Sequence, residues 1–411
     1  MKKFLSVENL TLLAILLGIA FGYFFPKSAI AVEVVGQIYL ALLKMLIIPL
    51  VIASIFVAIT SLEDTSELKS IGLLAFAYYF ITTALAVTLG LVLFNIFEPG
   101  AGTTLLSNIN APAHITQPKE LSISDFLLSF IPTNIFAALA KGAILPIIFF
   151  TILFSVAALF ILPPKRQSLF NFFDALNDSM MVLAKWVITL TPLGVFALLG
   201  ATVAKNGIEP ILNLYSYVLT VLAALAIHAA LVLPAIAYLI GRFNPYSYFW
   251  QIKEAPLIAF STASSSATLP VSIEVAETKG GVSKKVAGFV LPLGATINMD
   301  GTALYESIAV MFIANISGVE LSLTQQITIF LTATFASIGA AGIPGAGLVM
   351  MTMILDSVGL PSEYIALIIT VDRFLDMFRT AVNNWGDLLG AKIIDSLLSR
   401  YFQSQHRGLA Y

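Results

Sequence analysis

The sequence predicts an all-α polytopic membrane protein with eight transmembrane helices and two re-entrant hairpins. Hydrophobic residues make up 59% of the 411 residues, and charged residues make up only 11%. Apolar runs of about twenty residues recur from end to end, and each is long enough to cross the hydrocarbon core of a bilayer. The runs are continuous rather than alternating, which excludes membrane strands, and helices satisfy their own backbone polar groups in lipid.

Eight apolar runs are the expected crossings. They lie near residues 8–25, 34–61, 71–97, 124–162, 170–204, 209–241, 284–314 and 362–396. The fourth and fifth runs exceed the length that a bilayer requires, so we expect them to tilt, or to break at Gly142/Pro146 and at Thr191-Pro192. No small-residue cleavage site follows a short apolar core at the start, so we expect the first run to be retained as a helix.

The unequal distribution of basic residues predicts the orientation of a multi-pass protein in the inner or plasma membrane, with both termini in the cytoplasm. Lys27, Lys119 and Lys205 fall on the outer side. The basic residues expected on the cytoplasmic side are Lys2, Lys3, Lys69, Lys165, Arg166, Arg242, Lys253, Lys279, Lys284, Lys285, Arg400 and Arg407. A net charge of -2 gives no reason to expect a nucleic-acid partner, and the absence of cysteine excludes disulfides and thiolate chemistry.

Six polar residues of the segment 371–387 fall on one face of a predicted helix. The intervals between them match the helical period. Ionisable groups at membrane depth are costly unless they are paired or hydrated, so such a face indicates a binding site. A ladder of salt bridges between helices is the structural alternative. The six residues are Asp372, Asp376, Arg379, Thr380, Asn383 and Asp387.

Two interrupted apolar stretches predict the re-entrant hairpins. A serine-rich break lies in residues 260–270, and a glycine-rich break lies in residues 336–347. Non-helical backbone at membrane depth is tolerated only where it lines a cavity or is buried in protein. Ordinary helix packing through small residues is the alternative. A hairpin and a helix that occur twice in opposite orientation are typical of secondary transporters, in which half-helix N-termini face an anionic solute.

Between the two hairpins, the crossing near 284–314 contains the sequence Asn298-Met299-Asp300-Gly301-Thr302. Side-chain oxygens next to a glycine in mid-membrane favour a locally unwound helix that offers carbonyls to a hard cation. In a low-dielectric setting, Asp300 and Asp387 would be the counter-charges of such a cation.

Four motifs occur in the order that is found in the glutamate transporter family, the dicarboxylate/amino acid:cation symporters, which the whole chain resembles. They are the serine-rich hairpin, the NMDGT helix, the GxxGxPGAG hairpin and the DxxxDMxRTxxN-xxGD helix. The resemblance implies a glutamate-transporter-like fold of inverted repeats in a single transporter unit, 1–411. It implies a scaffold of about 1–70 and 124–204, a transport domain of about 71–97 and 209–400, and a homotrimer formed through the scaffold.

The resemblance also implies which residues bind an acidic amino acid. Arg379 would hold the side-chain carboxylate of the substrate, Asp376 its amino group and Asn383 its main-chain carboxylate. This fits the guanidinium fork, which matches a carboxylate, and the attraction of an aspartate for an ammonium. The other expected substrate residues are Ser264, Ser265, Ser266, Thr302, Ala340, Gly342, Gly345 and Thr380.

By the same resemblance, side-chain oxygens and backbone carbonyls would form three sodium sites. The first set is Gly294, Asn298, Asn383 and Asp387, the second is Thr296, Met299, Ser337, Ile338 and Ala340, and the third is Tyr79, Thr82, Thr83, Asn298 and Asp300. Glu306 stands where proton-coupled relatives carry glutamate, so we expect it to exchange a proton. No cofactor is expected besides these coupling ions.

Two further positions matter for the interpretation. His228 lies on an apolar crossing, and we expect a hydrogen-bonded histidine rather than a metal ligand there. The family often carries a second arginine at the place of Ala263 or Met377, whereas this chain has Arg373. That difference leaves potassium exchange open.

Three classes of function remain. The first is secondary active symport of glutamate or aspartate with sodium, protons or both, through movement of the transport domain, and a C4-dicarboxylate symporter is its alternative within the family. The second is a passive anion channel, although the polar groups gather at one depth rather than along a continuous path. The third is an intramembrane enzyme, which we do not expect because the chain has no HExxH or GxSxG pattern.

Overall fold

The computed structural model describes residues 7–60, 66–100, 131–207, 214–339 and 346–408. Within these ranges every regular element is a helix, so the predicted all-α class is confirmed. The helices of the first half are α1 (Val7–Phe24), α2 (Pro26–Ala31), α3 (Glu33–Thr60), α4 (Ser66–Phe97), α5 (Ile135–Lys141), α6 (Ile144–Ala158), α7 (Pro163–Thr189) and α8 (Thr191–Asn206).

The helices of the second half begin with α9 (Leu214–Ile227) and end with a 44-residue helix, α18 (Ile365–Gly408). Two π-helical turns, His228–Val232 and Ala237–Gly241, flank the short α10 (Leu233–Ile236). The remaining helices are α11 (Pro245–Ile252), α12 (Glu254–Thr262), α13 (Ser265–Thr278), α14 (Lys284–Ile297), α15 (Asp300–Ile316), α16 (Leu323–Gly339) and α17 (Ala346–Ser357).

The two breaks predicted in the fourth and fifth apolar runs are confirmed. Gly142 ends α5 in the left-handed region, with a φ of 68°, which glycine adopts without a steric penalty. Asn134 caps the start of α5 by accepting from two backbone N–H groups. At Leu190 the chain passes from α7 to α8, and the two helices are bent by 51°. Pro192 stands in the first turn of α8, where its missing N–H costs no helical hydrogen bond.

Two of the described helices are long and apolar enough by themselves to cross a membrane. The first is Ser70–Phe97, within α4, and the second is Leu214–Gly241, which runs from α9 through the second π-helical turn. The bent pair formed by α7 and α8 adds a third if it is counted as one span. Shorter apolar helices lie at Leu13–Phe24 and Pro146–Ala158. The total of eight crossings therefore remains a prediction.

Helices from the first half of the chain pack closely around α8. Helix α1 runs along α8, and α3 contacts α6, α7 and α8. A Cβ atom on Gly18 would lie 2.9 Å from the carbonyl oxygen of Phe196, so glycine lets these two backbones approach each other. The hydroxyl groups of Tyr39 and Thr191 are hydrogen-bonded at 3.1 Å across the interface between α3 and α8.

Helix α15 lies at the centre of the second group of helices. All of its residues except Asn315 are buried. It contacts α4, α9, α16, α17 and α18, while α12 and α14 pack against α18. On α18, Trp385 is 5% exposed and donates from its indole nitrogen to the carbonyl of Ala229 in the first π-helical turn at 3.1 Å. The polar face of α18 is therefore enclosed by protein.

Candidate functional site

The serine-rich break forms a tight turn between α12 and α13, as its sequence predicts. Ala263 adopts a left-handed conformation with a φ of 48°, and Ser264 is extended. The hydroxyl of Ser264 accepts from the N–H of Ala267 at 3.2 Å and so caps α13. Ser265 is buried, whereas Ser266 is exposed. The two arms are thus separate helices joined by non-helical backbone.

Contacts with α18 hold this serine-rich turn in place. Phe260 meets Phe378 edge to face, with ring centroids 5.0 Å apart. On the other arm, the side-chain amide of Asn384 donates to the hydroxyl of Ser272 at 2.7 Å, and both residues are buried. The turn is therefore fixed to the helix that carries the predicted substrate residues.

The glycine-rich break is flanked by α16, which ends at Gly339, and α17, which begins at Ala346. The predicted tip residues Ala340, Gly342 and Gly345 lie outside the described residues. Helix α17 nevertheless reaches the centre of the molecule. A Cβ atom on Gly347 would lie 3.3 Å from Nη1 of Arg379 and 3.6 Å from Oε1 of Glu306.

Arg379 is the charged centre of the polar face of α18, and it is only 1% exposed. Its Nη2 lies 3.0 Å from Oδ1 of Asp372 and 2.9 Å from Oδ1 of Asp376. The guanidinium stacks over the ring of Tyr305 at 3.9 Å, and the Tyr305 hydroxyl donates to Asp372 at 2.8 Å. Within the described residues, Nε and Nη1 have no hydrogen-bond partner. Two donor groups of the arginine are therefore left for a ligand.

Asn383 connects α18 to the start of α15. Its side-chain oxygen accepts from the backbone N–H of Gly301 at 2.8 Å. Its amide nitrogen donates to the hydroxyl of Thr302 and to the sulfur of Met299, both at 3.3 Å. One turn earlier, the hydroxyl of Thr380 donates to Asp376 at 3.5 Å. The structure thus brings the predicted substrate residues of α15 and α18 together.

Glu306 is fully buried on α15. Neither of its carboxylate oxygens has a hydrogen-bond partner in the described part of the chain. An ionised carboxylate without partners is costly in an apolar interior. This environment suits a group that takes up a proton.

The predicted unwinding between α14 and α15 is confirmed. Helix α14 ends at Ile297, Asn298 has extended backbone angles, and α15 begins at Asp300. Asn298 donates from its side-chain nitrogen to Oδ1 of Asp387 at 2.9 Å and to the carbonyl of Asn383 at 3.4 Å. A side chain on Gly294 would collide with Asp387. The four residues of the first predicted sodium set are therefore linked by direct contacts.

Asp300 contacts two of the other four residues of the third predicted sodium set. Its Oδ1 accepts from the hydroxyl of Thr83 at 2.7 Å and from that of Thr82 at 3.2 Å. Tyr79 donates its hydroxyl to the carbonyl of Val290 at 2.8 Å instead. A Cβ on Gly294 would nevertheless lie 2.5 Å from the Tyr79 hydroxyl, so Tyr79 borders the first set as well.

The second predicted sodium set is less closely connected. The hydroxyls of Thr296 and Ser337 donate within their own helices, to Leu293 at 2.9 Å and to Thr334 at 2.8 Å. Met299 contacts Asn383, as described above. Ile338 is helical, and Ala340 lies outside the described residues. These contacts do not test the second set, which stays a prediction.

His228 is hydrogen-bonded, as predicted, but its partner was not anticipated. Its Nε2 lies 3.1 Å from Oδ2 of Asp300, and both side chains are fully buried. The partner comes from another helix, so spacing along the histidine's own helix could not indicate it. A π-helical turn begins at His228, and such turns are frequent at functional sites.

Asp372 and Tyr305 both contact the Arg379 guanidinium. The sequence pattern predicts only that Asp372 lies on the polar face that indicates a binding site, and it does not single out Tyr305. The spacing of Tyr305 on α15, three residues after Thr302, was the available signal, because residues three apart share a helix face. Together they hold the Arg379 guanidinium in position.

The sequence matches a known protein family over most of its length. The SDF profile, which describes the Sodium:dicarboxylate symporter family, matches residues 9–397. The chain is 35% identical over 407 residues to the proton/sodium-glutamate symport protein of Geobacillus stearothermophilus, covering 97% of this chain and 96% of that protein.

Two other relatives are similar over most of their length. Identity to the proton/glutamate-aspartate symporter of Escherichia coli (strain K12) is 36% over 383 residues, covering 92% of this chain and 87% of that protein. Identity to the excitatory amino acid transporter 3 of Mus musculus is 36% over 412 residues, covering 88% and 78%.

Proposed function

Because the chain belongs to the sodium:dicarboxylate symporter family, we propose that it is a secondary active symporter that moves glutamate or aspartate across a membrane together with cations. The observation that carries the proposal is the buried Arg379. It combines a fixed orientation with two unused donor groups beside the start of α17. A guanidinium in this setting matches the second carboxylate of an acidic amino acid.

The expected binding sites of the coupling cations support symport. Asp300 and Asp387 are 0% and 2% exposed, and Asn298 and Asn383 connect their surroundings to Thr302 and Gly301. Sodium bound beside these carboxylates would compensate their charge, and the same amide groups border the substrate. Cation binding and substrate binding would therefore each raise the affinity for the other, which corresponds to a favourable coupling free energy between the two sites. Glu306 would add a proton.

Alternating access requires a moving part and a fixed part. We assign the helices α1, α3, α6, α7 and α8 to a scaffold of about 1–70 and 124–204, because these helices pack against one another. We assign α4, together with all helices from α9 through α18, to a transport domain of about 71–97 and 209–400. This domain is centred on α15. Eight crossings, two re-entrant hairpins, cytoplasmic termini and a homotrimer through the scaffold complete the proposal.

A passive anion channel is the competing class. Asp372 and Asp376 of α18 both pair with Arg379, and every residue of α15 except Asn315 is buried. A site of this kind favours binding and release in turn over continuous flow.

The test is uptake of radiolabelled aspartate and glutamate into proteoliposomes that contain the purified full chain. A sodium gradient and a proton gradient are imposed separately and then together, with the membrane potential clamped. Concentrative uptake that requires one or both gradients is the expected result. Downhill flux that neither gradient can drive uphill would support the channel instead.

A further inference from the structure

Asp376 is approached by two arginines, one at each oxygen of its carboxylate. Arg379 Nη2 lies 2.9 Å from Oδ1, and Arg373 Nη1 lies 3.9 Å from Oδ2. The side chain of Arg373 is 25% exposed and that of Asp376 is 10% exposed. Arg373 and Asp376 are three residues apart on α18, so they share one face of the helix.

The other carboxylates at this level lie in different surroundings. Asp372 accepts from the Tyr305 hydroxyl and pairs with Arg379. Glu306 lies on α15, on the side of Gly347 and Arg379. Asp376 is thus a carboxylate that both Arg373 and Arg379 approach.

An amino acid and a dicarboxylate of the same length would meet this arrangement differently. The ammonium of an amino acid needs Asp376, and at Oδ2 it would come close to the positive charge of Arg373. Like charges at a partly desolvated site repel each other. A ligand without an ammonium leaves the contact between Arg373 and Asp376 intact, and the charge of Arg373 attracts its carboxylates.

We propose that Arg373 is a specificity-determining residue, which competes with the ligand ammonium for Asp376 and so reduces the preference for acidic amino acids over C4-dicarboxylates. This inference rests on the proposed function, since it assumes that the Arg379 face binds a substrate with two carboxylates. It adds a residue that sets the balance between two classes of substrate.

Aspartate and succinate are the matched probes, because they have the same carbon chain and differ at the amino group. The dissociation constants of both are measured by calorimetry on the purified full chain, at fixed pH and saturating sodium. In Arg373→Met, which keeps an unbranched, flexible side chain and removes its charge, we expect the ratio of the succinate constant to the aspartate constant to rise about tenfold. Arg373→Lys keeps the charge and should retain the wild-type ratio within about threefold.

Arg400→Met is the matched control, since Arg400 lies on the same helix but binds the carbonyl of Ile240 at 2.6 Å, away from the site. Its ratio should equal that of the wild type. Arg373→Gln provides a second charge-removing variant in case Arg373→Met does not fold. An unchanged ratio in the charge-removing variants would overturn the inference and leave Arg373 as a solvated surface pair of little energy. If the wild type binds neither probe, the proposed function fails instead.

Discussion

Asn383 accepts a hydrogen bond of 2.8 Å from the backbone N–H of Gly301, and this bond joins the last helix to the first turn of α15. The same turn begins with Asp300, which the third predicted sodium set uses, and continues with Thr302, which the substrate set uses. A cation bound at Asp300 would therefore act on the same helical turn that carries Thr302, a predicted substrate residue. This connection underlies the predictions below.

Replacing Arg379 with alanine should remove acidic amino-acid binding. Hydrogen bonds to charged groups contribute about 1.5–3 kcal/mol each, so losing two of them should weaken aspartate binding by about 100-fold or more. The variant also leaves Asp372 and Asp376 without the cation that pairs with them, so its melting temperature should fall. Calorimetry below the melting temperature of the variant measures the affinity. Near-native aspartate affinity would show that the substrate site lies elsewhere.

Replacing Asp387 with asparagine should weaken sodium dependence and substrate affinity together. The substitution removes a negative charge that accepts from Asn298, while the shape of the side chain is kept. We expect about tenfold or more sodium for half-maximal aspartate binding. Asp395→Asn is the control. Asp395 lies on the same helix as Asp387 but outside the site, where it accepts from the backbone N–H of Ser283. A loss of substrate affinity with unchanged sodium dependence would contradict the assignment.

A methyl group added at position 294 should damage the first sodium site sterically. A Cβ on Gly294 would collide with Asp387 and the Tyr79 hydroxyl, whereas a Cβ on Gly288, on the same helix, would meet no atom within 4 Å. Gly294→Ala should therefore require about tenfold more sodium for half-maximal aspartate binding. Gly288→Ala should transport normally and be more stable by about 0.5–1 kcal/mol. Equal sodium titrations for the two variants would exclude this site.

Replacing Glu306 with glutamine should abolish the pH dependence of uptake. Glu306 is fully buried without a hydrogen-bond partner among the described residues, so we expect it to cross with a proton when substrate is bound. Wild-type uptake should then rise as the pH on the substrate side falls. The glutamine variant resembles the protonated acid, so its uptake should be flat between about pH 5 and 8, while sodium-driven aspartate binding persists. A pH profile that is identical in the two proteins would refute the role of Glu306.

Local features of the fold were predictable from the sequence. Gly142, the Thr191-Pro192 pair and the Asn298-Met299 break all lie where the sequence places them, because each depends on residues that are neighbours along the chain. The polar face of α18 was predictable in the same way, from the intervals between its polar residues. Helical periodicity and backbone restrictions are local, and local rules suffice for them.

Contacts between helices were not predictable in this way. The pairing of His228 with Asp300 and that of Tyr305 with Asp372 join residues that are 72 and 67 positions apart in the sequence. Which polar residue faces which across an interface depends on how the helices rotate and cross when they pack. A single sequence contains no direct measure of that rotation, so these partners emerged only from the structure.

The position of Trp385 gives the protein a built-in optical reporter. Its indole is enclosed and hydrogen-bonded to Ala229, two residues from both Asn383 and Asp387, whereas the other two tryptophans, Trp186 and Trp250, are 63% and 68% exposed. Indole emission responds to nearby charge and polarity, so the filling of either neighbouring site should alter the short-wavelength part of the spectrum. Sodium and substrate could then be titrated on the unlabelled protein, by following one buried fluorophore on the helix that carries both predicted sites.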